Sequence, residues 1–512
     1  PKLLIVINKI DLVDNDMIEL VELEIRDLIS ETIYSDALII KVSNKTKEGI
    51  DVVKREIHVL CESLDEKFDR GIIRMPIDRF FSIKGFGTVV TGTIISGSLN
   101  IGKEIFVQPI DKPVKVRSIQ SHNSPIKEAK LGQRTSVNIH GLGKSDVYRG
   151  CQIVEKDYFK PINAFFAKVK KLKNIDRVLC NRQRIRIHLG TQEVIGRLMM
   201  NSKYVTFEEQ QYALIKLESP LVSAYLDRFI IRQYSPILTL GGGKIIDTDI
   251  AKSWKNNSLY LKKLIKCKDE QYLPCIIEKY FLNPITIPDL SKLIGFSYQK
   301  AISLIKSSDV FLIFEHNKKE WVVTKKQNDE LKSLIVDFIT DYLGKHTYNE
   351  SLNIDILRKQ LKINENILNI LLEQLENDKI LSSCNNSWSL LNYTLSLNND
   401  DRILMDEIIS KISESDFNVP NIDDFPNIFN SSIEKIINIL KICESQKKIT
   451  RINTNMIFVN SNIDKLKLKL SLFFDKNDFL SVADFKNLTN TSRKHAVPLL
   501  EYFDKQKITY RK

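Results

Sequence analysis

The chain has 512 residues, of which 43% are hydrophobic and 27% charged, so it contains enough apolar material for several folded cores. No apolar stretch approaches the ~20 residues of a membrane span, which argues against a membrane protein, while the net charge of +12 favours a polyanionic partner. The seven cysteines contain no CxxC pair or metal-ligand spacing. They predict reduced thiols, a cytoplasmic location and no bound metal.

Residues 1–68 alternate between strand and helix patterns. LLIVI at residues 3–7 is a short branched apolar run, typical of a strand buried on both faces of a parallel sheet. Helical spacing in MIELVELEIRDLISETI, a strand pattern in ALIIKVS and helical spacing in GIDVVKREIHVLCESL follow. This order predicts the C-terminal half of a doubly wound α/β domain.

The sequence NKID, with Asn8, Lys9 and Asp11, comes directly after the first predicted strand. An Asp carboxylate accepts two hydrogen bonds from the N1–H and amino group of guanine, and adenine does not offer this pair. The Asn amide can bond the base edge, and the Lys stem can lie across the base plane. The pattern therefore predicts a guanine site, although a chance match in an Asn- and Lys-rich chain is the alternative.

A second loop, Ser43, Asn44 and Lys45, follows the second predicted strand and is expected to complete the guanine site. The chain contains no GxxxxGK[ST] phosphate loop and no acidic loop followed by a catalytic histidine. We therefore expect the chain to be part of a GTPase, in which the residues that bind the GTP phosphates and Mg²⁺ lie upstream in the intact protein. No catalytic residue is predicted in this chain, and we expect it to be inactive by itself.

Short β-branched runs separated by Gly, Pro, Asn and Asp dominate the next segment and predict two consecutive β-barrels, at residues 69–158 and 159–250. Beyond residue 250, units of helix, short helix, helix and β-pair recur. These units predict four winged helices, at residues 251–326, 327–396, 397–460 and 461–512.

Charge is uneven along this helical part. Residues 441–512 contain 15 Lys and Arg against 7 Asp and Glu, whereas residues 327–440 contain 9 against 19. Charge alone fits either an RNA-binding C-terminal block or a solvated surface.

Three stretches carry a family resemblance. MPIDRFFSIKGFGTVVTGTIISG resembles the second domain of translational GTPases such as elongation factor Tu. LDRFIIRQYSPILTLGGGKIID resembles the third domain of the selenocysteine-specific elongation factors (SelB), and TSRKHAVPLLEYFDKQKITYRK resembles their last winged helix. The resemblance extends over essentially the whole chain and implies a multidomain fold: the C-terminal half of an α/β GTPase domain, two β-barrels, and an array of about four winged-helix domains.

The same resemblance implies a function. The intact protein is expected to be a monomeric, GTP-dependent elongation factor that delivers selenocysteinyl-tRNA to the ribosome at UGA codons. The C-terminal winged helices are expected to tether it to an mRNA hairpin, the SECIS element. A general aminoacyl- or initiator-tRNA-carrying GTPase and a winged-helix nucleic-acid-binding regulator are the alternatives.

By resemblance, Asp78, Arg79 and Arg134 fall at the aminoacyl pocket of the first barrel, and the second barrel, at residues 159–250, is expected to bind tRNA. A selenol is ionised at neutral pH, whereas serine is neutral and cysteine is mostly protonated. Two arginines favour the selenolate, and Asp78 is expected to orient Arg79 or to accept the α-amino group. The alternative is that both arginines face solvent or phosphate.

Residues of the last winged helix are expected to grip the hairpin. Ser492 is predicted to cap a helix whose first turn contains Arg493 and Lys494, and such cations oppose the helix dipole unless they face phosphates. Lys505, Lys507 and Arg511 extend the basic surface. Pro498 predicts a kinked or late-starting helix. A solvated charged face is the alternative for each cation.

Overall fold

The computed structural model describes residues 2–64, 68–83, 87–143, 146–172, 175, 178–205, 211–267, 272–384, 386–393 and 397–510. By internal contacts the chain divides into two units. Unit 1 is Pro1–Tyr272 with Ile287–Ser307, and unit 2 is Leu273–Thr286 with Ser308–Lys512. Among the described residues, no helix has the length and apolar character needed to cross a bilayer.

The N-terminal α/β segment has two parallel strands, β1 (Leu4–Ile7) and β2 (Leu38–Lys41), and two helices, α1 (Asn15–Ile29) and α2 (Ile50–Glu62). The predicted alternation of strands and helices is therefore confirmed. The expectation that β1 is buried on both faces is wrong, because within the described residues β1 pairs only with β2 and Val6 is 41% exposed.

The first barrel is built from short strands that alternate buried and exposed residues. Their bounds are β3 (Arg74–Ile83), β4 (Gly87–Thr93), β5 (Leu99–Asn100), β6 (Glu104–Gln108), β7 (Lys112–Ser121), β8 (Ser124–Ile126), β9 (Glu128–Ala129), β10 (Arg134–His140) and β11 (Gln152–Val154). The main sheet has the order β10-β4-β3-β11-β6-β7-β8, and β10 also pairs with β7, so the sheet closes on itself. Valine and isoleucine side chains fill its interior.

The second barrel follows directly. Its strands are β12 (Pro161–Lys171), β13 (Leu179–Cys180), β14 (Arg184–Leu189), β15 (Gln192–Met199), β16 (Tyr204–Val205), β17 (Gln211–Val222), β18 (Arg228–Gln233) and β19 (Thr239–Asp247). Six of these strands form a closed barrel in the order β12-β17-β15-β14-β18-β19. A Cβ on Gly241 would lie 2.2 Å from the Lys170 carbonyl oxygen, and one on Gly243 would lie 2.3 Å from that of Lys168. The glycines of the GGG motif therefore allow β19 to approach β12 closely.

The remaining part of the chain is mainly helical. Its elements are α3 (Trp254–Ile265), α4 (Tyr272–Ile277), α5 (Ile287–Ile294), α6 (Tyr298–Lys306), β20 (Phe311–His316), β21 (Lys319–Thr324), α7 (Lys325–Lys345), β22 (Leu352–Asn353), α8 (Ile354–Leu361), α9 (Glu365–Asn377), β23 (Leu381–Cys384), β24 (Ser387–Leu390), α10 (Asn399–Glu414), α11 (Phe425–Phe429), α12 (Ile433–Ser445), β25 (Ile449–Asn453), β26 (Met456–Val459), α13 (Asn460–Phe474), α14 (Val482–Thr489) and α15 (Arg493–Lys505). The repeating order of helices followed by a β-pair agrees with the predicted array. In the last repeat, residues 506–510 contain no strand, and residues 511–512 lie outside the described part of the chain.

Two local expectations differ from the structure. Helix α15 begins at Arg493 and contains Pro498, so the expected late start is wrong. Because Pro498 has no backbone N–H, the helix loses a single backbone hydrogen bond, the one to the carbonyl oxygen of Lys494 in its first turn. Cys267 and Cys275 are disulfide-bonded, so the expectation of reduced thiols fails for these two, because cysteine spacing does not determine pairing.

Candidate functional sites

The two predicted guanine loops lie side by side because β1 and β2 are parallel neighbours. The Ser43 hydroxyl donates a 2.6 Å hydrogen bond to Oδ1 of Asp11 and accepts one of 3.1 Å from the backbone N–H of Thr46. Ser43 is fully buried, whereas Asp11 is exposed. The buried hydroxyl therefore fixes the orientation of a carboxylate that remains available to a ligand.

The other guanine-loop residues are exposed. Lys9 has a positive φ of 67°, and its backbone N–H donates to Asn8 Oδ1 at 2.7 Å, which holds the loop in a tight turn. The side chains of Asn44 and Lys45 form no hydrogen bond or ion pair with any described residue. The structure brings Asp11 and Ser43 together, and the roles of Asn44 and Lys45 stay predictions.

Asp78 and Arg134 form a bidentate pair on the first barrel. Arg134 Nη2 donates to Asp78 Oδ1 at 3.0 Å, and Nη1 donates to Oδ2. These hydrogen bonds from the guanidinium to Asp78 raise the pKa of Arg134. Strand β4 lies between β3 and β10, and the β3–β4 register shifts between Ile77 and Arg79. The shift lies at Asp78, whose side chain reaches across β4 to Arg134.

Arg79 is exposed and forms no hydrogen bond or ion pair with a described residue. Of the two roles expected of Asp78, the orientation of Arg79 is therefore wrong, because both carboxylate oxygens of Asp78 accept hydrogen bonds from Arg134. Acceptance of the α-amino group stays a prediction. The Asp78–Arg134 pair is neutral as a whole, so the unpaired Arg79 provides the net positive charge of this cluster.

The N-terminus of α15 differs from the prediction at Ser492. Ser492 occupies the N-cap position, but its side chain caps no backbone N–H. Its hydroxyl instead lies 3.2 Å from Nδ1 of His495, a buried residue whose Nε2 lies 3.0 Å from the Val419 carbonyl oxygen. Arg493 and Lys494 are exposed in the first turn, as predicted.

The remaining predicted RNA-contacting residues are spread along the end of α15. Lys505 lies in the last helical turn, where a cation is favourable to the helix dipole without any ligand. Lys507 is exposed with a positive φ of 57°. Arg511 lies outside the described residues.

Sequence reasoning missed a buried ionic junction between the two barrels. Arg70 and Arg74 both contact Asp227, at 3.2 and 2.8 Å, and Arg74 is only 1% exposed. Arg70 also donates to the carbonyl oxygens of Tyr225 (2.6 Å) and Ile294 (3.1 Å). The only signal in the sequence is an arginine inside the apolar run GIIRMPI.

Three family models match parts of the chain. Residues 87–154 match Elongation factor Tu domain 2, residues 167–252 match the beta-barrel domain of the Selenocysteine-specific elongation factor, and residues 472–512 match the winged helix of Elongation factor SelB. The three matches fall on the first barrel, the second barrel and the last helical repeat.

Curated relatives extend this similarity. The chain is 25% identical to the Selenocysteine-specific elongation factor of Desulfomicrobium baculatum, over 99% of this chain and 81% of the relative. It is 32% identical to that of Methanocaldococcus jannaschii, over 56% of this chain and 66% of the relative. A crystal structure of a bacterial selenocysteine-specific elongation factor, EF-Sec, shares the fold, with a TM-score of 0.57, 22% identity, and coverage of 99% of this chain and 79% of that one. The chain therefore belongs to the family of selenocysteine-specific elongation factors, SelB.

Proposed function

We propose that this chain acts in the delivery of selenocysteinyl-tRNA to the ribosome at UGA codons, in a GTP-dependent elongation factor tethered to an mRNA hairpin. The observation that carries the proposal is the similarity to a selenocysteine-specific elongation factor along 99% of the chain. The alternative of a general aminoacyl-tRNA carrier differs in one measurable property, the discrimination between selenocysteine and serine on the tRNA.

Discrimination is assigned to Arg79, Asp78 and Arg134. The unpaired guanidinium of Arg79 attracts a selenolate, and neither a serine hydroxyl nor a protonated thiol compensates that charge. The carboxylate of Asp78 holds Arg134 in place through two hydrogen bonds. Its negative charge also reduces the electrostatic repulsion between Arg134 and Arg79. A neutral aminoacyl group removes water from the Arg79 guanidinium without providing a counter-charge, so the desolvation penalty of the cation is not offset.

The guanine base of GTP is assigned to the Asp11 loop. The Asp11 carboxylate, oriented by Ser43, suits the N1–H and amino donors of guanine, and the exposed Asn8 and Lys9 border the same loop. Hydrolysis of GTP would supply the release signal in the intact protein. Neither the phosphates nor Mg²⁺ are assigned to residues of this chain.

The mRNA hairpin is assigned to the N-terminus of α15. The hydroxyl of Ser492 is occupied with His495 rather than with a backbone cap. The backbone N–H groups of Arg493 and Lys494 accordingly have no acceptor among the described residues. Free N–H donors and two cations at a helix N-terminus together suit a phosphate.

A titration of the whole chain tests the hairpin assignment. The probes are an RNA hairpin taken from just after an in-frame UGA of the same genome and a duplex DNA of equal length, at low and high salt. We expect hairpin-dependent binding that survives added salt, and R493Q/K494Q should weaken it at least tenfold. The matched control K318Q/K319Q removes an adjacent exposed pair of lysines from another repeat and should bind like the unmodified chain. Equal binding of both nucleic acids that salt abolishes would indicate only nonspecific phosphate contact and would refute the tether.

A further inference from the structure

A cavity of about 220 Å³ lies in unit 1, between the segment that joins the two barrels, the residues that follow β17 and the C-terminal end of α5. Each of these segments contributes one buried lining residue: Phe159, Ser223 and Gly295. Other lining residues are exposed, so the cavity leads from solvent to a buried wall. A cavity of about 150 Å³ holds benzene, and this one therefore has room for a single ring with a polar substituent.

Packing around Phe159 fixes the buried wall. The Arg74 guanidinium lies over the Phe159 ring, 4.7 Å from its centroid. Gly295 has a positive φ of 71°, and a Cβ there would lie 2.7 Å from an atom of the same ring and 2.9 Å from the Cβ of Ala224. The Ala224 backbone N–H donates to Asp227 at 2.8 Å. The wall is therefore preformed, and it adjoins the buried ionic junction between the barrels.

Two hydroxyl groups in the cavity lack partners. Ser223 is only 5% exposed, and its Oγ has no hydrogen-bond partner among the described residues. Thr248 is half-buried and lines the same cavity, and its hydroxyl is not hydrogen-bonded to any residue that the structure describes. An unpaired buried hydroxyl is unfavourable, and a hydroxyl can donate to an oxygen atom of a ligand. The cavity therefore offers hydrogen-bond donors that the protein itself does not use.

The charge of the cavity favours an anion. Lys160 and Lys292 line it, are exposed and form no hydrogen bond or ion pair within the described part of the chain. Asp157 is the one acidic residue among the described lining residues. The two lysines therefore leave an excess positive charge beside an apolar wall. An anion with an apolar body complements this combination, whereas a cation does not.

We propose that this cavity, lined by Asp157, Phe159, Lys160, Ser223, Thr248 and Lys292 and named the seam cavity, binds a small organic anion, a carboxylate on a single ring or on a chain of similar size. The lysines pair with the carboxylate, the two hydroxyls donate to its oxygen atoms, and the apolar body lies against Phe159. Because Lys160 belongs to the segment between the barrels and Lys292 to α5, the bound anion links these elements and stabilises the barrel junction. The proposal does not depend on the proposed function.

The test measures the binding of three fluorinated probes of similar size to the whole chain by fluorine NMR: para-fluorobenzoate, para-fluorobenzyl alcohol and para-fluorobenzylamine. We expect the benzoate to bind about tenfold more tightly than the other two, and K160Q/K292Q to remove this preference. The matched control K115Q/K127Q removes two exposed lysines of the first barrel and should retain it. D157N should tighten benzoate binding by about two- to fivefold, because it removes a like charge.

S223A separates a ligand-binding hydroxyl from a structural one. Because the hydroxyl has no partner, its loss should leave the melting temperature unchanged or slightly higher, while benzoate affinity falls by about three- to tenfold. A lower melting temperature with unchanged affinity would overturn the role of Ser223. The site itself would be overturned if the unmodified chain bound no benzoate, if K160Q/K292Q bound it as well as the unmodified chain does, or if inorganic phosphate displaced it at equal concentration.

Discussion

Asp78 holds Arg134 through both of its carboxylate oxygens, whereas Arg79, its neighbour in sequence, has no ionic partner among the described residues. The two arginines of the cluster are therefore not equivalent. Arg134 is oriented and largely neutralised, and Arg79 presents the uncompensated charge. Loss of either cation should affect selectivity, but only loss of Arg134 should disturb the geometry of Asp78.

Charge reversal tests this division. R79E should abolish the preference for selenocysteinyl- over seryl-tRNA, because a carboxylate repels the selenolate. R134E should do the same and also displace Asp78. The measurement is competitive binding of the two aminoacyl-tRNAs, with R117E, an exposed arginine of the same barrel, as control. Discrimination that persists in both variants would remove the cluster from the selection step.

The hydrogen bond from Ser43 to Asp11 should support guanine binding. S43A leaves the Asp11 carboxylate without its orienting donor, and a hydrogen bond to a charged group contributes about 1.5–3 kcal/mol. We expect guanosine-nucleotide affinity to fall by about tenfold or more, while the binding of adenosine nucleotides does not change. Calorimetry with both nucleotides measures this difference. An unaltered guanosine-nucleotide affinity would show that the Ser43 loop does not act on the base.

The junction of Arg70, Arg74 and Asp227 should be essential for the stability of unit 1. D227N leaves two buried arginines without a counter-charge, and breaking such a pair costs about 3–5 kcal/mol. Burial already lowers the pKa of Arg70, since it disfavours the charged form. Thermal unfolding measures the effect. The exposed pair of Arg184 and Glu218 provides the control, because E218Q should leave the melting temperature nearly unchanged.

Asp69 should make stability depend on acid pH. Burial raises its pKa, but hydrogen bonds from the Gly71 and Gly97 N–H groups and the Ser96 hydroxyl outweigh burial, so the pKa is lowered overall. A carboxyl with a lowered folded pKa contributes stability above its unfolded value, near 3.9, and this contribution disappears as pH falls through the folded value. Urea unfolding between pH 6 and pH 2.5 should show a smaller loss of stability in D69N than in the unmodified chain. Parallel pH profiles would contradict the assignment.

Cys443 should resist alkylation. Burial raises the pKa of its thiol to about 11, so at pH 8 almost none is thiolate. The exposed Cys61 and Cys384 should react with iodoacetamide first. The same shift predicts that stability contributed by the neutral Cys443 thiol is lost as pH rises from about 9 toward 11. Mass spectrometry over time measures the order of reaction, and early modification of Cys443 in the folded chain would contradict the prediction.

Local patterns gave most of the elements. The β-branched runs separated by glycine and proline predicted the strands of both barrels, because alternation and turn chemistry act over a few residues. Helical spacing predicted α1, α2 and α15, and the order of strand and loop predicted that Asp11 and Ser43 lie together. Side-chain details at element ends were less accurate, as Ser492 shows, since a neighbouring histidine competes for the hydroxyl of a cap.

The sequence by itself determined the family, the order of the elements and the chemical types at each site, since these follow from local periodicity and short motifs. Tertiary structure alone decided which distant residues meet. Asp78 and Arg134 are 56 residues apart, and Arg70 and Asp227 are 157 apart. Such pairings depend on strand register and on the packing of one barrel against the other. A one-residue change of register turns every side chain of a strand to the opposite face, and no local pattern specifies that choice.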